Sequence, residues 1–198
     1  MKIYGDRQSG NCYKVQLMCD LLGLSYEWID IDILAGDTKD LAFLAKNPLG
    51  KIPLLELDDG RCLSESNAIV NYLAANTDYL PSTPYELAKV QQWQFFEQYS
   101  HEPFIAVARF INKYLGLPDD KKEEYAAKQD GGHKALKTME AELQESHFIT
   151  GEQVTTADVC LYAYTHVAED GGFNLSQYPA IQNWLTQMEE LKGFTAML

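Results

Sequence analysis

The chain has 198 residues, 46% hydrophobic and 23% charged, and a formal net charge of −13 from 16 basic and 29 acidic side chains. That length suits one large or two small domains with real cores, and no apolar run nears the roughly 18 residues that span a bilayer. The acidic balance repels polyanions, which argues against nucleic acid or an anionic membrane as partner. Positive contacts to an anionic ligand must then be local, and Arg7, Lys39 and Lys51 stand out.

In chain order, Lys2 to Tyr4 reads as a short strand and Gln8-Ser9-Gly10-Asn11 as a turn. A helix follows to Gly23, with Val15, Met18, Cys19 and Leu22 on one face and the glycine as C-cap. Tyr26 to Asp32 is a strand, Leu41 to Ala45 a short helix and Asn47-Pro48-Leu49-Gly50 a turn. Pro53 to Leu57 and Arg61 to Leu63 form a hairpin around Asp58-Asp59-Gly60. Ser64 is the expected cap of the next helix, whose core face carries Ile69, Tyr72 and Leu73. This β-α-β-α-β-β-α order predicts a thioredoxin-like α/β domain over 1–76, followed by a linker at 77–84.

Beyond the linker nothing alternates like a strand, so 85–198 is predicted to be an all-α helical domain. Thr83-Pro84-Tyr85-Glu86 opens its first helix as a capping box. Pro103 predicts a kink near His101, and Gly131-Gly132 an interruption of the charged helix after Pro118. Thr155 to Asp158 is a second capping box, with Val154 and Val159 spaced for a hydrophobic staple. The opening Met-Lys-Ile-Tyr-Gly-Asp lacks the apolar core of a signal peptide, which predicts a cytoplasmic protein. Cys12, Cys19, Cys62 and Cys160 show no CxxC or metal-ligand spacing, so no metal site is expected.

Two segments carry the chemistry. Lys51-Ile52-Pro53 offers extended backbone before a proline suited to a cis bond, and a cis bond there presents Ile52 to a ligand's peptide groups. The plain alternative is an edge-strand proline. Ser64-Glu65-Ser66-Asn67 offers a carboxylate, hydroxyls and free amides at a helix N-terminus, where an α-carboxylate binds on the dipole; these residues also serve simply as caps. Ser9 and Cys12 have the spacing of a thiol–disulfide motif, with serine in place of the attacking cysteine. A serine hydroxyl there donates to a bound thiolate and lowers its pKa, or is only a turn residue. The ligand so described is a small zwitterionic peptide thiol.

The order and spacing of Ser9, Asn47 to Pro53, Leu63 to Ile69 and the late box at Thr155 to Asp158 resemble the cytosolic glutathione transferases over nearly the whole chain. The resemblance implies a serine-type (theta-, phi- or bacterial-like) member with Ser9 activating the glutathione thiol. Asn11 and Cys12 are secondary candidates at sulfur. It implies that Ile52 and Pro53 hold the cysteinyl backbone, Glu65 and Ser66 the γ-glutamyl end, and Lys39 and Lys51 the glycyl carboxylate. Glutathione is then a co-substrate, with no other cofactor, and the assembly a homodimer. Tyr99 and Phe104, in the aromatic run from Phe95, are candidates for a hydrophobic electrophile site, with core or dimer contact as the alternative. The expected activity is thiol transfer to electrophilic carbon. The alternatives are glutathione-dependent disulfide or peroxide reduction, or a non-catalytic binding module.

Overall fold

The computed structural model describes residues 1–198, which divide into two compact units, Met1–Ala75 with Leu191–Leu198, and Asn76–Glu190. The first unit is a four-stranded sheet with helices: β1 (Lys2–Gly5), α1 (Gly10–Leu21), β2 (Glu27–Asp30), α2 (Leu41–Lys46), β3 (Leu54–Glu56), β4 (Cys62–Ser64) and α3 (Ser66–Leu73). The strand order is β2-β1-β3-β4. β1 and β2 are parallel, as the helical crossover between them demands. β3 runs antiparallel to both β1 and β4, with Leu55 opposite Ile3 on one side and Leu63 on the other. The buried set Ile3, Val15, Leu17, Met18, Leu54, Leu55, Ile69 and Val70 fills the core where α1 and α3 pack together. Gly23 ends α1 at φ +63°, the left-handed conformation that favours glycine in that place.

Three expectations for this unit change. Ser64 ends β4 and caps nothing; Glu65 occupies the N-cap position of α3. Tyr72 is half exposed, and Ser66, Ile69 and Val70 form the buried face of that helix. A helical domain reaching residue 198 stops instead at Glu190, because the last eight residues pack on α1. Tyr13 donates its hydroxyl to the Thr195 carbonyl at 2.8 Å. The 77–84 segment belongs with the second unit, where the Tyr79 carbonyl accepts from the Thr156 N–H at 2.8 Å.

The second unit is helical throughout: α4 (Pro84–Phe96), α5 (Glu102–Arg109), α6 (Lys122–Leu143), α7 (Thr156–Thr165) and α8 (Pro179–Glu189). Thr83 caps α4 by accepting from the Glu86 N–H, with Pro84 in the first turn. The irregularity expected near His101 is a π-helical turn, Glu97–His101. Pro103 has no N–H to give the Tyr99 carbonyl and its ring crowds that oxygen, so the chain widens by one residue just ahead of it. His101 is fully buried there, its Nε2 2.9 Å from the Thr165 hydroxyl, which agrees with a structural histidine. At the start of α8, the buried Glu140 carboxylate accepts from the N–H groups of Ala180 and Ile181, each at 3.0 Å.

α6 is one unbroken helix, so Gly131-Gly132 does not interrupt it. A Cβ at Gly131 would enter the Phe104 ring, and one at Gly132 the ring of the fully buried Phe173. The pair exists for close approach. Alanine at 132 would gain about 1 kcal/mol in helix propensity, against about 1–3 kcal/mol for overpacking a closed site. Packing should win: Gly132→Ala is expected to lower stability in chemical denaturation, and an unchanged or raised midpoint would show that Phe173 can move aside.

Candidate functional site

The β1–α1 loop is shaped by Asp6, whose carbonyl accepts from the Ser9 N–H at 3.0 Å and whose carboxylate accepts from the Gln8 N–H at 2.8 Å. Ser9 thereby lands at the N-cap of α1 in extended conformation, with its hydroxyl oxygen accepting from the Cys12 N–H at 3.4 Å. A hydroxyl has two acceptor lone pairs and one proton. Capping the helix therefore leaves the Ser9 proton able to serve an anion, and the two readings of Ser9 are compatible.

Cys12 is a different matter. Its side chain is fully buried against Gly5, where a Cβ would lie 2.9 Å from the sulfur. Burial pushes the thiol up to about 12, although Ser9 pulls it the other way. A thiol raised that far stays mostly protonated near neutrality, and the structure places Cys12 in the core of this unit. Tyr4 is also committed elsewhere. It donates to Glu56 at 2.6 Å, while Lys46 donates to the same carboxylate at 2.8 Å. The bond to Glu56 raises the Tyr4 pKa, and the bond from Lys46 chiefly lowers that of Glu56.

The turn before β3 is built by Asn47, which is buried. Its Nδ2 donates to the Lys51 carbonyl at 2.7 Å and its Oδ1 accepts from the Leu49 N–H at 3.2 Å. The Ile52–Pro53 peptide is cis, as the sequence suggests, and Ile52 lies just outside the ladder that begins at Leu54. Lys51 is exposed, and Lys39 is exposed with its Nζ beside Gly50, 3.2 Å from where a Cβ would stand. Two ammonium groups thus flank this turn in an otherwise acidic protein.

At the start of α3, Glu65 has φ +68° and ψ 108°, a region that costs a side-chain-bearing residue about 1–3 kcal/mol. Strain of this kind persists where the surrounding structure over-determines it, and binding sites are a common place. Glu65 is exposed, while Ser66 behind it is 6% exposed and donates its hydroxyl to Asn11 Oδ1 at 3.1 Å. Asn11, a candidate at sulfur, therefore reaches the other end of the site. A residue absent from the sequence reading joins it: Lys14 is fully buried, with Nζ 3.1 Å from Asn67 Oδ1 and 3.4 Å from Ser66 Oγ. A lysine three residues after Asn11, in a helix whose other residues from Tyr13 to Cys19 are apolar except Gln16, was the available signal.

The electrophile candidates belong to the other unit. Phe104 packs on Gly131 between α5 and α6, half-buried, with the Lys128 ammonium 5.7 Å from its ring centre. Tyr99 lies in the π-helical turn and is 80% exposed.

Residues 3–81 match the glutathione S-transferase N-terminal domain family and residues 94–192 its C-terminal domain family. The chain belongs to the glutathione S-transferase family. A glutathione S-transferase structure from Pseudomonas fluorescens is 57% identical at TM-score 0.98, covering all of this chain and 98% of that one. Glutathione S-transferase 3 of Zea mays is 34% identical over 80% of this chain and 73% of its own length. Elongation factor 1-gamma of Artemia salina is 29% identical over the whole chain but only 46% of its own length, so the chain spans about half of that relative. The thioredoxin-like first unit and helical second unit are the fold of this family.

Proposed function

We propose that this protein binds glutathione in its first unit and activates the thiol for attack on hydrophobic electrophiles. The observation that carries the reading is the strained Glu65 at the head of α3, in the same unit as a cis Ile52–Pro53 bond and a capping hydroxyl at Ser9. The α-carboxylate of the γ-glutamyl group is assigned to Ser66 and the first-turn amides, and its ammonium to the Glu65 carboxylate. The cysteinyl backbone is assigned to Ile52 before Pro53, and the glycyl carboxylate to Lys39 and Lys51. Ser9 holds the sulfur. Glutathione is a co-substrate, and no further cofactor is required by this chemistry.

Losing a hydrogen bond to a charged group costs about 1.5–3 kcal/mol. Ser66→Ala should therefore weaken glutathione binding by roughly ten- to a hundredfold. Calorimetry on both proteins tests this, and equal affinities would take the γ-glutamyl group away from α3.

The likeness to elongation factor 1-gamma supports a second reading, a glutathione S-transferase-like module kept for binding without turnover. Steady-state assays with glutathione and either an aryl halide or a mixed disulfide separate the readings. Conjugation is expected to dominate; disulfide reduction alone would indicate the reductase alternative, and no turnover with either substrate the module. A homodimer is proposed as the assembly. Positions 85, 88, 92, 95 and 99 alternate by three and four along α4 and the turn after it, and all are exposed. Tyr85, Phe95 and Tyr99 on this stripe are 76%, 64% and 80% exposed, so three large aromatic rings face solvent along it, a feature that favours a partner surface. Light scattering is expected to give twice the 22.4 kDa chain mass.

A further inference from the structure

We infer that Lys14 is a positioning residue for glutathione, acting through the Ser66 hydroxyl from beneath the start of α3; the inference rests on the glutathione-binding reading above. An ammonium can only donate hydrogen bonds, so Lys14 Nζ at 3.4 Å occupies a lone pair of Ser66 Oγ, and at 3.1 Å it holds the Asn67 side-chain oxygen. The single Ser66 proton is then turned to Asn11 Oδ1 at 3.1 Å. Asn11 and Lys14 stand three apart on α1 and so share one face. Together they grip the first turn of α3 at two consecutive residues.

This arrangement has a direction. With one lone pair held by Lys14, the hydroxyl exchanges one acceptor for another as a carboxylate arrives: the proton swings from Asn11 to the ligand while the bond from the ammonium stays. The ammonium also polarises the hydroxyl it bonds to, which strengthens its donation to an anion. A buried charge is costly to hold, and the Lys14 ammonium lies in the core with its Nζ on the side-chain oxygens of Ser66 and Asn67. The predicted signature is selectivity. Lys14 should matter for a ligand with the γ-glutamyl α-carboxylate and hardly at all for one without it.

Calorimetry with glutathione and with 4-aminobutyryl-cysteinyl-glycine, which lacks only that carboxylate, tests the inference on wild type, Lys14→Met and Lys14→Arg. Lys14→Met is expected to weaken glutathione roughly tenfold or more and the analogue less than about threefold. It should raise KM for glutathione with kcat unchanged, and Lys14→Arg should restore part of the loss. Equal losses for both ligands, or none, would overturn the assignment. If Lys14→Met does not fold, the wild-type Lys14 Nζ resonance decides: it should move on adding glutathione and stay in place with the analogue, and any other pattern rejects the inference. A wild-type protein that fails to bind glutathione removes the function proposed above and this role with it. Wild-type binding with an indifferent Lys14→Met removes only Lys14.

Discussion

Asp158→Ala is expected to lower stability by about 3–5 kcal/mol, several times the ~1 kcal/mol that a helix cap ordinarily contributes. Asp158 completes the capping box of α7 by accepting from the Thr155 N–H at 2.8 Å. It also accepts from the Thr155 hydroxyl at 3.1 Å, the Ile149 N–H at 2.7 Å and the Trp184 indole N–H at 3.0 Å. The carboxyl is fully buried, and burial pushes its pKa up to about 6 against the pull of those four donors. At neutral pH it is still mainly the anion that the donors require. Truncation strands donors in the core at about 1–3 kcal/mol each, less than additively because they share one acceptor. For a chain of this size the melting temperature should fall by on the order of 10 °C. Asp158→Asn should lose less, since its single carbonyl oxygen keeps part of the set. An unchanged melting curve with abolished turnover would instead make Asp158 a functional group.

The outline of this protein is written in local signals. Gly23, Thr83-Pro84 and Thr155 with Asp158 each act within one turn of chain, and each does in the structure what its chemistry implies. Pro53 belongs with them, because a cis bond is a property of the dipeptide. What sequence reading mistakes is settled by partners far along the chain. Gly131-Gly132 looks like a helix break until Phe104 and Phe173 supply the reason for two missing side chains. Cys12, only a secondary candidate at sulfur, owes its full burial to the close approach of Gly5 from another element. Lys14 is tied to Ser66 across fifty-two residues of chain. The shift of the cap from Ser64 to Glu65 is of a third kind. Serine is the better cap by intrinsic preference, yet the hairpin carries Ser64 into β4 opposite Leu54, and Glu65 must turn the chain at a positive φ. Local preference there yields to strand register.

Ser9→Ala should reduce turnover about a hundredfold, the usual effect of removing one donor to a charge that the reaction develops. Glutathione affinity should change little, because most of the proposed contacts lie at the carboxylates and the peptide backbone. The rate should rise with pH along a limb displaced upward, toward the ordinary thiol pKa of about 8.5, since the variant no longer favours the thiolate. The fold should tolerate the change at the cost of a cap, about 1 kcal/mol. Cys12→Ala is the companion measurement. It removes a buried sulfur that has no access to a ligand, so it should cost some stability through a small cavity and leave kcat within a fewfold of wild type. Steady-state rates from pH 6 to 9 on both variants, with glutathione saturating, separate the roles cleanly. A fully active Ser9→Ala beside an inactive, folded Cys12→Ala would reverse them, and would mean that the β1–α1 loop opens during turnover far enough to bring the sulfur out from beneath Gly5.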